Sequence, residues 1–105
     1  MDDLNGRVAV VTGGGSGIGR GIALGLAQEG AQVAVLDILA DSAAAVAREI
    51  EATGVKALAL PADLTKRAQV DRAIADTLTQ FGQIDILVNN AGWDRMEMFL
   101  DSEEE

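Results

Sequence analysis

The chain has 105 residues with no Cys, no His and no Tyr, which removes thiol and imidazole chemistry, disulfides, ordinary zinc or haem sites and any phenolic acid. Lys occurs only at Lys56 and Lys66, and Ser only at Ser16, Ser42 and Ser102, so general acid–base work would fall almost entirely on carboxylates. Eight basic residues against 17 acidic ones give a net charge of −9 with no basic stripe to suggest a nucleic-acid partner, while 49% hydrophobic and 24% charged residues suit one globular domain.

The start, Met1-Asp2-Asp3, has neither the basic residues nor the apolar run of a signal peptide, and no apolar stretch reaches the ~20 residues of a membrane span. A cytoplasmic protein without a membrane partner is the expectation. Val8-Ala9-Val10-Val11 predicts a strand over 7–12. Thr12-Gly13-Gly14-Gly15-Ser16-Gly17-Ile18-Gly19 follows it directly and opens a helix over 17–29, where Ile18, Ile22 and Leu26 recur every four residues beside Ala23 and Ala27. A glycine-rich turn between strand and helix serves either a tight turn or a phosphate cradle. In the cradle, backbone N–H groups and the helix N-terminus face the anion, and no Cβ obstructs it. The loop is no Walker A, since Gly19 is followed by Arg20-Gly21, and its spacing is G-x-x-x-G-x-G, not G-x-G-x-x-G.

Val33-Ala34-Val35-Leu36 predicts a strand over 32–37 that closes on Asp37. A carboxylate there either ends the strand or accepts hydrogen bonds from a ribose 2′-OH, and it would repel a 2′-phosphate. A helix over 42–53 follows, with Ala43, Val46, Ala47 and Ile50 on one face and Asp41 or Ser42 as N-cap. Ala57-Leu58-Ala59-Leu60 predicts a strand over 56–61, followed by Asp63-Leu64. The next helix, over 66–81, has Thr65 as its N-cap and a face of Val70, Ala73, Ile74, Thr77 and Phe81. Gly30, Gly54 and Gly82 stand where the three helices should stop. Ile84 to Val88 predicts a strand over 84–89, ending in Asn89-Asn90-Ala91-Gly92. None of the strands alternates cleanly, which suits an α/β protein whose parallel sheet is covered on both faces. Trp93 to Phe99 form an apolar loop that either lines a substrate entrance or packs on a following helix. Asp101-Ser102-Glu103-Glu104-Glu105 reads either as a helix start with Ser102 as N-cap or as a frayed, solvated acidic tail. Residues 94–105 carry six acids against Arg95, leaving −4 for the first 93 residues.

Residues 12–19, Asp63-Leu64 and Asn89-Asn90-Ala91-Gly92, in this order and spacing, resemble the motifs of the short-chain dehydrogenase/reductase family over residues 5–92. The resemblance implies a Rossmann-type, doubly wound parallel sheet, incomplete at strand order 3-2-1-4. Residues 1–105 would form the N-terminal NAD(P)-binding part of one domain whose catalytic part is absent. It also implies that Gly13, Gly15, Ser16, Gly17, Ile18 and Gly19 hold a pyrophosphate, Asp37 the adenosine ribose, and Asp63 and Leu64 the adenine. Asn89, Asn90, Ala91 and Gly92 would border the cofactor near its centre and tie strands together. Ser16 stands where NADP-preferring members often carry Arg or Lys, so with Asp37 it favours NAD.

Family members move hydride between nicotinamide and an alcohol or ketone carbon, using a Ser and a Tyr-x-x-x-Lys beyond the matched part. A chain without Tyr carries no such acid, so no residue here is assigned catalysis and the 105 residues alone are expected to be inactive. No metal is called for. The intact parent would be a homo-oligomer, and Gly92-Trp93-Asp94-Arg95 faintly resembles members acting on hydroxyacyl-CoA thioesters or 3-oxoacyl groups. The alternative is a stand-alone nucleotide-binding or interaction module without catalysis.

Overall fold

Strands that are apolar on both faces need cover on both faces, and the molecule supplies it by placing helices above and below a single parallel sheet. The computed structural model describes residues 3–15 and 17–90. Its elements are β1 (Val8–Thr12), α1 (Gly17–Gln28), β2 (Gln32–Asp37), α2 (Ala40–Glu51), β3 (Ala57–Pro61), α3 (Arg67–Phe81) and β4 (Ile86–Asn89). All strand pairs are parallel, in the order β3-β2-β1-β4, with Val10 beside Ala34 and Leu87, and Ala34 beside Leu58. The expected Rossmann-type α/β sheet with strand order 3-2-1-4 is therefore present.

The pleat divides the core in two. Val11, Val33 and Val35 point to one face, where they meet Ala23 and Ala27 of α1 and Ala43, Val46 and Ile50 of α2. Val10, Ala34 and Leu36 point to the other, against Ala73 of α3 and Ala62. Every residue of β1 is buried, as are five of the six in β2, whereas β3 and β4 are half-buried apart from the exposed Pro61. Each fully buried Val contributes about 1.5–3 kcal/mol of transfer free energy. The inner pair of strands thus anchors the domain.

Two local expectations are corrected. Asp41 and Ser42 lie inside α2, whose N-cap is Leu39, and Thr65 lies before Lys66, the N-cap of α3; neither cap makes a side-chain hydrogen bond. At α2 the helix starts earlier than expected, the Ala43 N–H already bonding to the Leu39 carbonyl at 3.1 Å. At α3 the reason is competition from a neighbouring carboxylate, since Asp63 takes both the N–H and the hydroxyl of Thr65. The other correction concerns α1. Its buried line is Gly19, Ala23 and Ala27, while Ile18 is 77% exposed and Ile22 and Leu26 sit at the flank. Small residues let the helix axis approach the sheet, and the isoleucines would hold it off.

The glycine stops hold, with Gly30 and Gly54 at φ 104° and Gly82 at φ 83°. Gly82 is the left-handed C-cap of α3, its N–H donating to the Leu78 carbonyl at 2.8 Å. No helix among the described residues is long and apolar enough to cross a membrane. The expected helix start at Ser102 and the apolar loop from Trp93 to Phe99 lie outside the described residues.

At the opposite end of the sheet from the glycine loop, Asp85 closes β1 against β4. Its N–H donates to the Val8 carbonyl at 2.8 Å, and its Oδ2 accepts the Val8 N–H at 2.9 Å and the Gln83 amide at 2.6 Å. These bonds, the Val8 one first, hold its carboxyl below the ordinary value of 3.8. A carboxylate depressed in the folded state stabilises above its unfolded pKa and loses that contribution as pH falls through the folded value. Asp85→Asn should therefore be less stable than the wild type at pH 7. The deficit should narrow below about pH 4 in denaturant titrations at a series of pH values. A deficit independent of pH would remove the charge from this account.

Candidate functional site

In a parallel sheet all strand C-termini open on the same edge, and the loops there converge. Around β1 and β2 that edge gathers the glycine loop, the end of β2 and the turn after β3. Thr12 ends β1 fully buried, and Gly13 turns the chain with φ 65° while its N–H donates to the Leu36 carbonyl at 2.7 Å. The loop then crosses in front of β2.

The glycines have separate tasks. A Cβ on Gly19 would stand 2.1 Å from the Gly13 carbonyl oxygen, so only glycine lets α1 begin against its own loop. A Cβ on Gly15 would stand 2.8 Å from both Asp37 Oδ2 and Ser42 Cβ, so its absence admits the carboxylate and the start of α2. Gly17 has φ 59° and nothing within 4 Å of the Cβ position, which leaves room for a ligand at the first turn of α1. N–H groups of that turn have no helical acceptor, and the helix dipole adds partial positive charge. The side chain of Ile18 beside it is exposed.

Asp37 is 9% exposed, and both its oxygens hold backbone donors: Oδ2 the Gly15 N–H at 2.9 Å, Oδ1 the Leu39 N–H at 3.0 Å. An ionised carboxylate offers about four acceptor sites, so roughly half remain for a hydroxyl pair. Asp37, Ile38, Gly13, Ala62, Asp63 and Leu64 line one cleft of about 150 Å³. Four expected site residues, Gly13, Asp37, Asp63 and Leu64, are thus brought together. Asp63 is held below the ordinary carboxylate range, first by the Thr65 hydroxyl and then by the Thr65 N–H, so it faces the cleft as an acceptor.

Asn89 and Asn90 work on the other side of the loop, through Thr12. The Thr12 hydroxyl lies 3.1 Å from Asn89 Oδ1 and 3.3 Å from the Val88 carbonyl, and it accepts the Asn90 N–H at 2.8 Å. Asn90 Nδ2 reaches the Gly13 carbonyl at 3.4 Å. The pair ties β4 to the glycine loop, the strand-tying role expected of it. Ser16, Ala91 and Gly92 lie outside the described residues. The role of Thr12 as a fastener, and of Ile38 and Ala62 as cleft walls, emerges only in the folded chain. Ile38 carried a usable signal, because an isoleucine directly after a strand-ending acid has no core left to enter.

Behind the loop, Arg20 of α1 forms a fork with Glu49 of α2, Nε to Oε1 at 2.9 Å and the second nitrogen to Oε2. The hydrogen bonds of the fork, and after them the opposite charges, raise the guanidinium pKa and lower that of the carboxyl, although both side chains are nearly half-exposed. Water screens such a pair, so its role is to orient α1 against α2 more than to stabilise the fold. No group of three or more acids that could hold a metal occurs among the described residues.

The sequence model of the short chain dehydrogenase family matches residues 7–105. A hydroxynaphthalene reductase-like protein of Metarhizium robertsii is 47% identical over 102 residues, covering 96% of this chain and 37% of its own length. Among solved structures, the 3-ketoacyl-(acyl-carrier-protein) reductase of Brucella melitensis complexed with NADH is 48% identical with a TM-score of 0.79, covering 85% of this chain and 35% of that one. A 7α-hydroxysteroid dehydrogenase complexed with NADH and 7-oxo glycochenodeoxycholic acid is 42% identical with a TM-score of 0.83, covering 87% and 36%. The chain therefore spans little more than a third of the length of these relatives.

The glycine geometry separates two substitutions that look alike in sequence. Gly19→Ala forces a Cβ into the Gly13 carbonyl and should cost several kcal/mol, read as a large fall in the unfolding midpoint. Gly25→Ala, in the same helix with open space at its Cβ, should stabilise by roughly 0.5–1 kcal/mol. Equal effects at the two positions would sink the close-approach account of Gly19.

Proposed function

The chain belongs to the short-chain dehydrogenase family, and from that membership we propose that it forms the NAD-binding part of an oxidoreductase acting on an alcohol or ketone. The observation that carries this reading is Asp37, a nearly buried carboxylate held by two backbone donors at the mouth of a cleft that also contains Gly13, Asp63 and Leu64. When bound, the nicotinamide supplies the hydride acceptor or donor. The chain's own residues bind and orient.

The remaining acceptor sites of Asp37 suit the two hydroxyls of an adenosine ribose, while Ile38 and Leu64 offer apolar walls to the base and Asp63 an acceptor for its amino group. The open first turn of α1, reached over Gly17, suits the pyrophosphate. NAD is preferred over NADP in this reading, because a 2′-phosphate would meet a carboxylate that its backbone bonds prevent from swinging away. Two similar structures were determined with NADH, which supports a nicotinamide cofactor.

No residue of this chain is assigned the proton transfer, since it holds no Tyr and its carboxylates in the cleft serve the nucleotide. The groups that move the proton and bind the carbonyl are proposed to lie in the rest of a longer, cytoplasmic and homo-oligomeric protein. Hydroxyacyl and 3-oxoacyl thioesters are the first substrate class to test, given the sequence around Trp93 and the reductase of acyl-carrier-protein substrates among the similar structures.

Titrating the protein with NADH and NADPH tests the cofactor reading. The wild type should prefer NADH, and Asp37→Asn, which keeps the shape and removes the charge, should shrink that preference roughly 10- to 100-fold. Tighter NADPH binding by the wild type would refute the role of Asp37. The 105-residue chain alone should show no NAD(H) turnover with alcohols or ketones, and measurable turnover would defeat that part of the proposal.

A further inference from the structure

The turn between β3 and α3 is fixed at nearly every polar atom of Asp63. Its carbonyl accepts the Lys66 N–H at 2.9 Å, and its Oδ1 accepts the Thr65 N–H at 3.0 Å and the Thr65 hydroxyl at 2.6 Å. These bonds are local and would form in any tight turn of this composition. The remaining bond is not local. The Asp63 N–H donates to the side-chain carbonyl of Gln69, six residues on, at 2.7 Å. Since the backbone group is a donor, the Gln69 atom facing it must be the oxygen, which fixes the orientation of the amide.

Gln69 stands in the first turn of α3, and its own N–H bonds to the Lys66 carbonyl at 3.0 Å. On the other side of the turn, the Ala62 N–H bonds to the Asp37 carbonyl at 3.0 Å. The segment that carries Asp63 and Leu64 is thereby held between β2 and α3. Of the polar atoms of Asp63, only Oδ2 has no protein partner among the described residues, and Asp63 lines the cleft.

We propose that Gln69 is a positioning residue for base recognition: by holding the Asp63 N–H, it sets the direction of the free Asp63 carboxylate oxygen toward the exocyclic amino group of an adenine in the cleft. The proposal rests on the dinucleotide reading given above. An acceptor aimed in this way favours adenine, whose 6-position donates, over hypoxanthine, whose 6-position carries an acceptor oxygen. Without Gln69 the turn keeps its local bonds but can pivot as a unit about Ala62, so the base contact weakens while the ribose contact at Asp37 persists.

The test compares binding of NADH and of reduced nicotinamide hypoxanthine dinucleotide to the protein, each by direct titration. The wild type should prefer NADH by roughly tenfold or more, the worth of a hydrogen bond to a charged acceptor. Gln69→Leu, and independently Gln69→Asn, which is one methylene too short, should bind NADH roughly three- to tenfold more weakly and discriminate by less than about threefold. Gln69→Glu, which retains an acceptor at the same reach, should restore discrimination. A purely structural cap would lower the melting temperature of the variants and leave the ratio between the two dinucleotides unchanged, and that result overturns the proposal. If the wild type itself binds the two dinucleotides equally, the assignment of Asp63 to adenine fails and the role of Gln69 fails with it.

Discussion

A carboxylate that water barely reaches needs donors, and the arrangement of this molecule's upper edge follows from where Asp37 finds them. Its two oxygens take N–H groups from Gly15 and from Leu39, and its carbonyl takes one from Ala62. The first belongs to the loop after β1, the second to the entry into α2, and the third to the exit from β3. Three connections that are far apart in sequence are thus referred to one residue at the end of one strand. The missing side chain at Gly15 is a condition of this, because a Cβ there would displace either the carboxylate or the start of α2. Any ligand hydroxyl that meets Asp37 meets an acceptor that cannot reorient without breaking these bonds.

Thr12 is the counterpart on the other flank. Its hydroxyl joins the end of β1 to Asn89 and Asn90, and Asn90 in turn reaches the Gly13 carbonyl. The two fasteners hold the loop at Gly15 on one side and at Gly13 on the other. The same economy of space explains the inner face of α1. Gly19, Ala23 and Ala27 contribute less apolar area than the neighbouring isoleucines would. They allow a closer approach, and close approach is what sets the helix N-terminus beside the loop.

The fold was legible because its signals are local. Val8 to Val11, Val33 to Leu36, the face Ala43-Val46-Ala47-Ile50 and Val70, Ala73 and Thr77 of the α3 face all entered the core, while Ile74 and Phe81 of that face pack against it only partly buried. The candidate site was legible in part. Gly13, Asp37, Asp63 and Leu64 meet in one cleft, and Asn89 and Asn90 tie strands, because a parallel sheet delivers all its strand ends to one edge. The caps misled: Thr65 has the composition of an N-cap, yet the nearer carboxylate of Asp63 claims it.

The order of elements, the parallel sheet covered on both faces, and the kind of loop after β1 were determined by the sequence alone, since apolar period and glycine placement act within a few residues. The tertiary structure decided which side of α1 turns inward, what Thr12 holds, that Ile38 walls the cleft, and that Gln69 grips the Asp63 turn. Most of these depend on which segments come to lie side by side, as with Thr12 and Asn90, whose bonded atoms are 78 residues apart in the chain. No local pattern encodes such a meeting, because either partner alone would read as an ordinary turn residue.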